Sequence, residues 1–112
     1  MKRGDIYIAD LNPTVGSEIK KKRPVIIVSN DISNLYSDTI TAIPITSNIK
    51  KVHPFEILIQ SNKQSGLTQN SKAQCHQIRA LSKTRFVKKK VGAISLEEQE
   101  QLESALRLHL VL

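Results

Sequence analysis

The chain lacks tryptophan altogether, and it has one cysteine and only four aromatic residues (Tyr7, Tyr36, Phe55 and Phe86) among its 112. A single cysteine, Cys75, excludes an intramolecular disulfide framework and suits a reducing compartment. So few aromatic rings exclude a surface on which bases stack all along an extended basic face. No apolar run approaches the roughly 18 residues of a membrane span. Met1-Lys2-Arg3 leads into Gly4-Asp5 rather than into the apolar core of a signal peptide. The expectation is a cytoplasmic protein with no membrane partner. A chain of 112 residues suits one domain, 1–112, with no room for a separate cofactor domain. Apolar residues at 39% are ordinary for a globular protein and exclude a disordered tail or a fibre.

Familiar catalytic motifs are also missing. There is no GxGxxG and no GxxxxGK[ST], so no nucleotide-phosphate cradle of either type. His53, His76 and His109, taken with Cys75, show no metal-ligand spacing, and neither a metal nor a cofactor is expected. Cys75 and His76 are adjacent. On a strand they point to opposite faces and make a poor nucleophile–base pair. His109 falls on the apolar side of the last helical pattern, as a packed or rim residue.

What the chain does have is positive charge: 17 Lys and Arg against 10 Asp and Glu, a net of +7. It is unevenly spread. From Leu96 to Leu112 four glutamates stand against Arg107, a net of −3, which leaves +10 on the remaining 95 residues. Such an excess serves solubility, or it attracts a polyanion whose neutralised phosphates release counterions. No basic amphipathic helix points to a membrane surface.

The pattern along the chain is one of short strands. Ile6–Leu11 ends at the turn signal Asn12-Pro13, and Thr14–Lys22 is a polar loop. Pro24–Val28 is a β-branched apolar run that suits a strand buried on both faces. Asn30–Asp38 has turn chemistry with about one helical turn. Thr39–Thr46 is a strand interrupted, bulged or at an edge near Pro44, which lacks a ladder donor. Phe55–Ile59, Ala73–Ile78 and Lys90–Ile94 continue the β pattern. Only the end is helical. Ser95 and Glu98 form a capping box, and Leu102, Ala105, Leu106 and Leu110 recur on one face. The expected fold is mainly β, a small curled sheet or barrel with one carboxy-terminal amphipathic helix.

The loop from Gly16 to Pro24 carries the strongest chemical signal. Lys20, Lys21 and Lys22 read as a solvated charged stretch or as phosphate contacts. Arg23 stands at the threshold of the buried strand, and a residue before proline is held to extended backbone. Near Glu18 and hydroxyl groups, its guanidinium suits bidentate binding of a phosphate.

The segment KRGDIYIADLNPTVGSEIKKKRPVIIVSND (Lys2–Asp31) resembles the amino-terminal part of the MazF/PemK toxins. The similarity resumes at AIPITSN (Ala42–Asn48), QCHQIRALSKTRF (Gln74–Phe86) and VGAISLEEQEQLESALRLHL (Val91–Leu110). The blocks follow in order over nearly the whole chain, and they are specific as a set. The resemblance implies a small SH3-like bent β-barrel (CcdB/PemK-like) with a carboxy-terminal helix, assembled as a homodimer. It implies metal-independent, sequence-selective cleavage of single-stranded RNA. There the ribose 2′-hydroxyl attacks its own 3′-phosphate and leaves a 2′,3′-cyclic phosphate and a 5′-hydroxyl. It further implies an acidic antitoxin as partner.

By the same resemblance the essential arginine falls on Arg23 and the essential threonine on Thr46. Glu18 then accepts the 2′-proton or orients Arg23. Ser17, Lys20, Lys21, Lys22, Asn30, Ser47, Gln74, His76 and Gln77 bind RNA or support those that do. Where the PemK branch has Arg-Cys-Asp-Gln, this chain has Gln74-Cys75-His76-Gln77. That leaves His76 as a proton donor to the leaving oxygen, or as an RNA-stacking or surface residue. Two other readings stay open: a toxin of this fold that binds a protein such as DNA gyrase, and an RNA-binding module without catalysis.

Overall fold

The computed structural model describes residues 1–112. The β-rich segments become β1 (Asp5–Asp10), β2 (Lys22–Ile27), β3 (Thr39–Thr46), β4 (Glu56–Ile59), β5 (Ser71–Gln74), β6 (Arg79–Ser82) and β7 (Gly92–Ala93). Helices α1 (Asp31–Tyr36) and α2 (Leu96–Leu110) join them, with 3-10 turns at Cys75–Gln77 and Lys83–Arg85. The order is β4-β5-β3-β2-β1-β7, with β6 also on β3, and every pairing is antiparallel.

β3 is the pivot. One edge pairs with β2, while the other takes β6 along Thr39–Ala42 and β5 along Ile45–Thr46. Three steps along β3, from Ile45 to Ala42, correspond to six along its partners, from Ala73 to Arg79. The 3-10 turn at Cys75–Gln77 absorbs the difference, and it lies opposite Ile43 and Pro44. Val28 N–H donates to Thr41 O at 2.9 Å. By antiparallel alternation the Val25–Pro44 pair is then not hydrogen-bonded, and the Pro44 nitrogen faces the gap between β5 and β6. β3 itself runs unbroken through Pro44, against the interruption, bulge or edge expected there; the break lies instead between its partners β5 and β6.

Three other expectations need correcting. The strand expected over Ala73–Ile78 stops at Gln74 and turns, so Cys75 and His76 do not alternate on a strand, and Gln74 and His76 do not share a strand face. The strand expected over Lys90–Ile94 pairs only at Gly92–Ala93. Leu110, expected on the buried face of the helix, is exposed. At the usual rise per residue the 15 residues of α2 span about 22 Å. The four residues of β4 beneath it span only about 13 Å. The last turn of the helix has outrun the sheet.

The sheet curls until the chain beyond β6 reaches the free edge of β1. Phe86 bridges Ala9, and Val87 N and Val91 N donate to Ile8 O and Ile6 O at 2.8 and 2.9 Å. The result is the small bent barrel expected. Both faces of β2 are buried, as its apolar run requires. Ile26 and Val28 join Ile6, Ile43, Ile45, Leu102 and Ala105 in a core beneath α2. Val25 and Ile27 join Tyr7, Leu11, Ile40, Leu81 and Phe86 inside the curl. The capping box is present, with Glu98 N to Ser95 Oγ at 3.1 Å and Ser95 N to Glu98 Oε1 at 2.9 Å. Glu98 Oε2 also accepts from Gln60 N at 2.9 Å, which ties the start of α2 to the end of β4.

Candidate functional site

Arg23 and Thr46 lie on neighbouring strands. Extending the Val25–Pro44 register by two residues sets Arg23 opposite Thr46, and directly opposed residues share a face. They line two separate hollows at the end of β3, with no lining residue in common. Arg23 lines one of about 330 Å³ with Lys21, Lys22, Ser47, Thr68 and Gln69. Thr46 lines another of about 210 Å³ with Ser17, Asn48, Lys72, Gln74 and Gln77. Neither hollow is lined by an acidic residue. The larger hollow between β4 and α2 carries Glu56, Glu97 and Glu98 and no cation, so it repels a phosphate.

Local structure explains the placement. The β1–β2 loop is pinched at its base by Leu11 N to Lys21 O at 3.1 Å. Lys21 has a φ of 76°, a left-handed conformation that a lysine keeps only where its surroundings hold it. Its N–H donates to Asn12 Oδ1 at 3.3 Å. Arg23 Nε donates to Lys20 O at 2.8 Å, which leaves the terminal nitrogens for a ligand. Thr46 Oγ1 accepts from Asn48 N at 3.3 Å and keeps its own proton to donate.

The remaining expected residues fall into three groups. Ser17, Lys21, Lys22, Ser47, Gln74 and Gln77 line the two hollows. Gln77 Oε1 also accepts from Ile19 N at 3.4 Å and so fastens the loop beside Ser17, while Gln74 Oε1 is buried without a partner. Lys20 and Glu18 sit on the loop outside both hollows. Glu18 forms no ion pair with Arg23; its Oε1 accepts from Val15 N at 2.6 Å and closes the loop on itself. Asn30 is at the far end of β2, roughly 20 Å along the strand from Arg23. There its side chain caps α1, accepting from Ser33 N at 2.8 Å.

His76 belongs to another cluster. Its ring meets Phe55 edge-on at 4.6 Å, Phe55 stacks on His53 at 5.0 Å, and His109 lies 6.4 Å away. Nδ1 of His76 is buried without a partner. Burial pushes the His76 pKa down, and the charges of His109, His53 and Lys72 add to that against the pull of Glu56. His109, at the rim, is exposed. Cys75 is fully buried and its thiol is pushed up to about 12 by burial and by Glu56, so it is inert as a nucleophile.

Sequence reasoning missed Lys72 and Glu56. Lys72 pairs directly with Thr46 across β5 and β3 and is buried. Its ammonium donates to Lys51 O at 2.6 Å and to Glu56 Oε1 at 3.2 Å. Burial pushes the Glu56 carboxyl up, but hydrogen bonds from His53 N–H and Lys72, with the Lys72 charge, hold it below the usual range. A period-two signal was there to find: Lys72 and Gln74 alternate onto one face of β5.

The chain resembles known proteins over its full length. The profile of PemK-like, MazF-like toxins of type II toxin-antitoxin systems matches residues 2–110. Endoribonuclease MazF9 of Mycobacterium tuberculosis is 43% identical over 115 residues, covering 98% of this chain and 96% of that protein. Among solved structures, MazF from Deinococcus radiodurans superposes with a TM-score of 0.86 at 19% identity, over 100% of this chain and 97% of that one. An endoribonuclease in complex with its cognate antitoxin from Mycobacterial species gives 0.81 at 20% identity, over 100% and 96%. At such identities the two structures speak for the fold alone.

Proposed function

The chain belongs to the PemK-like, MazF-like toxins of type II toxin-antitoxin systems, and we propose that it is a sequence-selective endoribonuclease that cuts single-stranded RNA in the cytoplasm. The whole chain, 1–112, acts as one toxin domain. The observation that carries this reading is the placement of Arg23 and Thr46 on neighbouring strands, each in the wall of a hollow that has lysine beside it and no acid. A related protein bears the name endoribonuclease.

The chemistry needs no protein nucleophile. The 2′-hydroxyl of the substrate attacks the adjacent phosphorus, the bond to the 5′-oxygen breaks, and a 2′,3′-cyclic phosphate and a 5′-hydroxyl remain, with no metal taking part. Arg23, through its free terminal nitrogens, meets the charge that grows on the non-bridging oxygens. Thr46 donates its hydroxyl to one of those oxygens. Glu18, outside both hollows with one carboxylate oxygen bound to Val15 N, holds the loop beside Arg23; the 2′-proton passes to water, and water supplies the proton that completes the 5′-hydroxyl. His76 does not supply a proton to the leaving oxygen, because its ring is packed on Phe55 outside both hollows. Gln74 and Gln77 fix the strand beside Thr46. Asn30, as the cap of α1, supports the fold and not the RNA.

Two partners follow. Ile32, Leu35 and Tyr36 of α1 are largely exposed and share one helical stripe, and Leu108, Leu110, Val111 and Leu112 at the end of the chain are exposed too, which supports assembly into a homodimer. An acidic antitoxin competes with RNA for the lysine-rich hollows.

Purified protein incubated with a chosen RNA tests the reaction. A single deoxyribose at the mapped scissile nucleotide should abolish the cut there, and EDTA should leave it unchanged. Cutting through the deoxyribose contradicts the 2′-hydroxyl mechanism.

A further inference from the structure

The hollow that contains Thr46 holds one charged side chain, Lys72. A lysine this buried has to be matched, and Glu56 matches it at 3.2 Å. The pair is not symmetric. The Lys72 side chain is 11% exposed and that of Glu56 is 1% exposed, so the cation lies between the hollow and its counterion. To a ligand in the hollow the pair is a fixed dipole with its positive end outward. Glu56 accepts from His53 N at 2.9 Å as well as from the ammonium, and these bonds hold it in place and ionised. With Lys51 O and Glu56 each taking one N–H, the ammonium has a third to give.

Backbone register adds precision. Lys72 faces Thr46 across the β3–β5 ladder, and the β2–β3 register, extended two residues beyond its last pair at Val25–Pro44, sets Thr46 opposite Arg23. Arginine, threonine and lysine thus form one row across three adjacent strands, with a cation at each end. Held by strands and a buried counterion, Lys72 loses little freedom on meeting a ligand, unlike the exposed Lys20. We infer that Lys72 is a substrate-positioning cation of the nuclease site, which takes a backbone phosphate of the RNA in the Thr46 hollow while Arg23 takes the neighbouring one. Glu56 is its positioning partner. This role rests on the nuclease reading.

Simple truncation is a poor test, because Lys72→Met leaves Glu56 as a buried unpaired carboxylate and unsettles the fold. The double variant Lys72→Met/Glu56→Leu removes both charges and keeps apolar volume, a change that buried pairs often tolerate without loss of stability. The probe is a single-stranded RNA oligonucleotide across a mapped cleavage site with a 2′-O-methyl group at the scissile ribose, which binds and is not cut. For the double variant the Kd should rise about tenfold at moderate salt. The slope of log Kd against log salt should fall by about 0.7, the share of one phosphate on a single strand. Lys72→Arg should restore the wild-type slope. A stably folded double variant with wild-type Kd and slope overturns the inference, and so does a weaker Kd with an unchanged slope, which marks a purely structural pair. Should the wild type fail to cut long RNA at all, that outcome counts against the nuclease reading, while the slope measured with a single-stranded RNA oligonucleotide of mixed sequence still reports on Lys72.

Discussion

Arg23 owes its geometry to chain neighbours rather than to an ion pair. Pro24 holds its backbone extended, and Lys20 O anchors Nε, so the guanidinium is presented with its terminal nitrogens free. Thr46 is arranged in the same manner, its oxygen occupied by Asn48 N and its proton free. Thr46→Val keeps the shape and removes that donor. We expect kcat to fall about 100-fold with KM little changed, as for other single donors to a transition-state oxyanion; an equal loss in KM alone assigns Thr46 to binding. His76 makes a separate prediction. Its folded pKa is below its unfolded one, so the unfolded state takes up the proton first and stability drops as pH falls below about 6.5. His76→Phe should flatten that part of a plot of Tm against pH across the mildly acidic range. A pH–rate profile shared by wild type and His76→Ala should confirm that it moves no proton in the reaction.

At the level of elements, the sequence showed most where local rules decide. The apolar run at Pro24–Val28, the capping box at Ser95 and the helical face through Leu102 and Ala105 all correspond to observed features. What was hidden depends on distant pairing. Nothing local in Ala73–Ile78 shows a turn, because the three extra residues arise from β3 exchanging one partner for another beside Pro44. Likewise Glu18 was read as a partner for Arg23 from its place in the loop, yet it folds back onto Val15. Arg23 was legible from its place before Pro24 at the start of the buried strand, and Thr46 only through family resemblance. Lys72, which shares their row, was not, since its burial depends on Glu56 from another strand. Two substitutions check the helix. Ser95→Ala should cost about 1 kcal/mol. Leu102→Ala, at a fully buried position, should cost about 3 kcal/mol, both read by chemical denaturation. Equal small losses mean that α2 packs less firmly on the sheet than described.

Across the whole molecule the positive charge divides by task. Arg79 and Arg85 donate to Leu11 O and Asp10 O and brace the base of the β1–β2 hairpin. Lys90 pairs with Asp5 at 3.1 Å. Lys21, Lys22 and Arg23 are left around one hollow and Lys72 in the other. An acidic antitoxin drawn to these groups should bind with an affinity that weakens steadily with salt; salt-insensitive affinity contradicts a competition for the same hollows. Sedimentation should give about twice the 12.6 kDa chain mass, and a monomer at micromolar concentration contradicts the homodimer.

The central claim is that Arg23 is the centre of an RNA-cutting site. Its most direct test is sequencing of the RNA ends produced from total RNA by the wild type and by Arg23→Ala, each shown to be folded, in EDTA. We expect discrete cuts with 5′-hydroxyl and 2′,3′-cyclic phosphate ends from the wild type and none above background from Arg23→Ala. No discrete cuts from the wild type, or the same cuts from both, contradicts it.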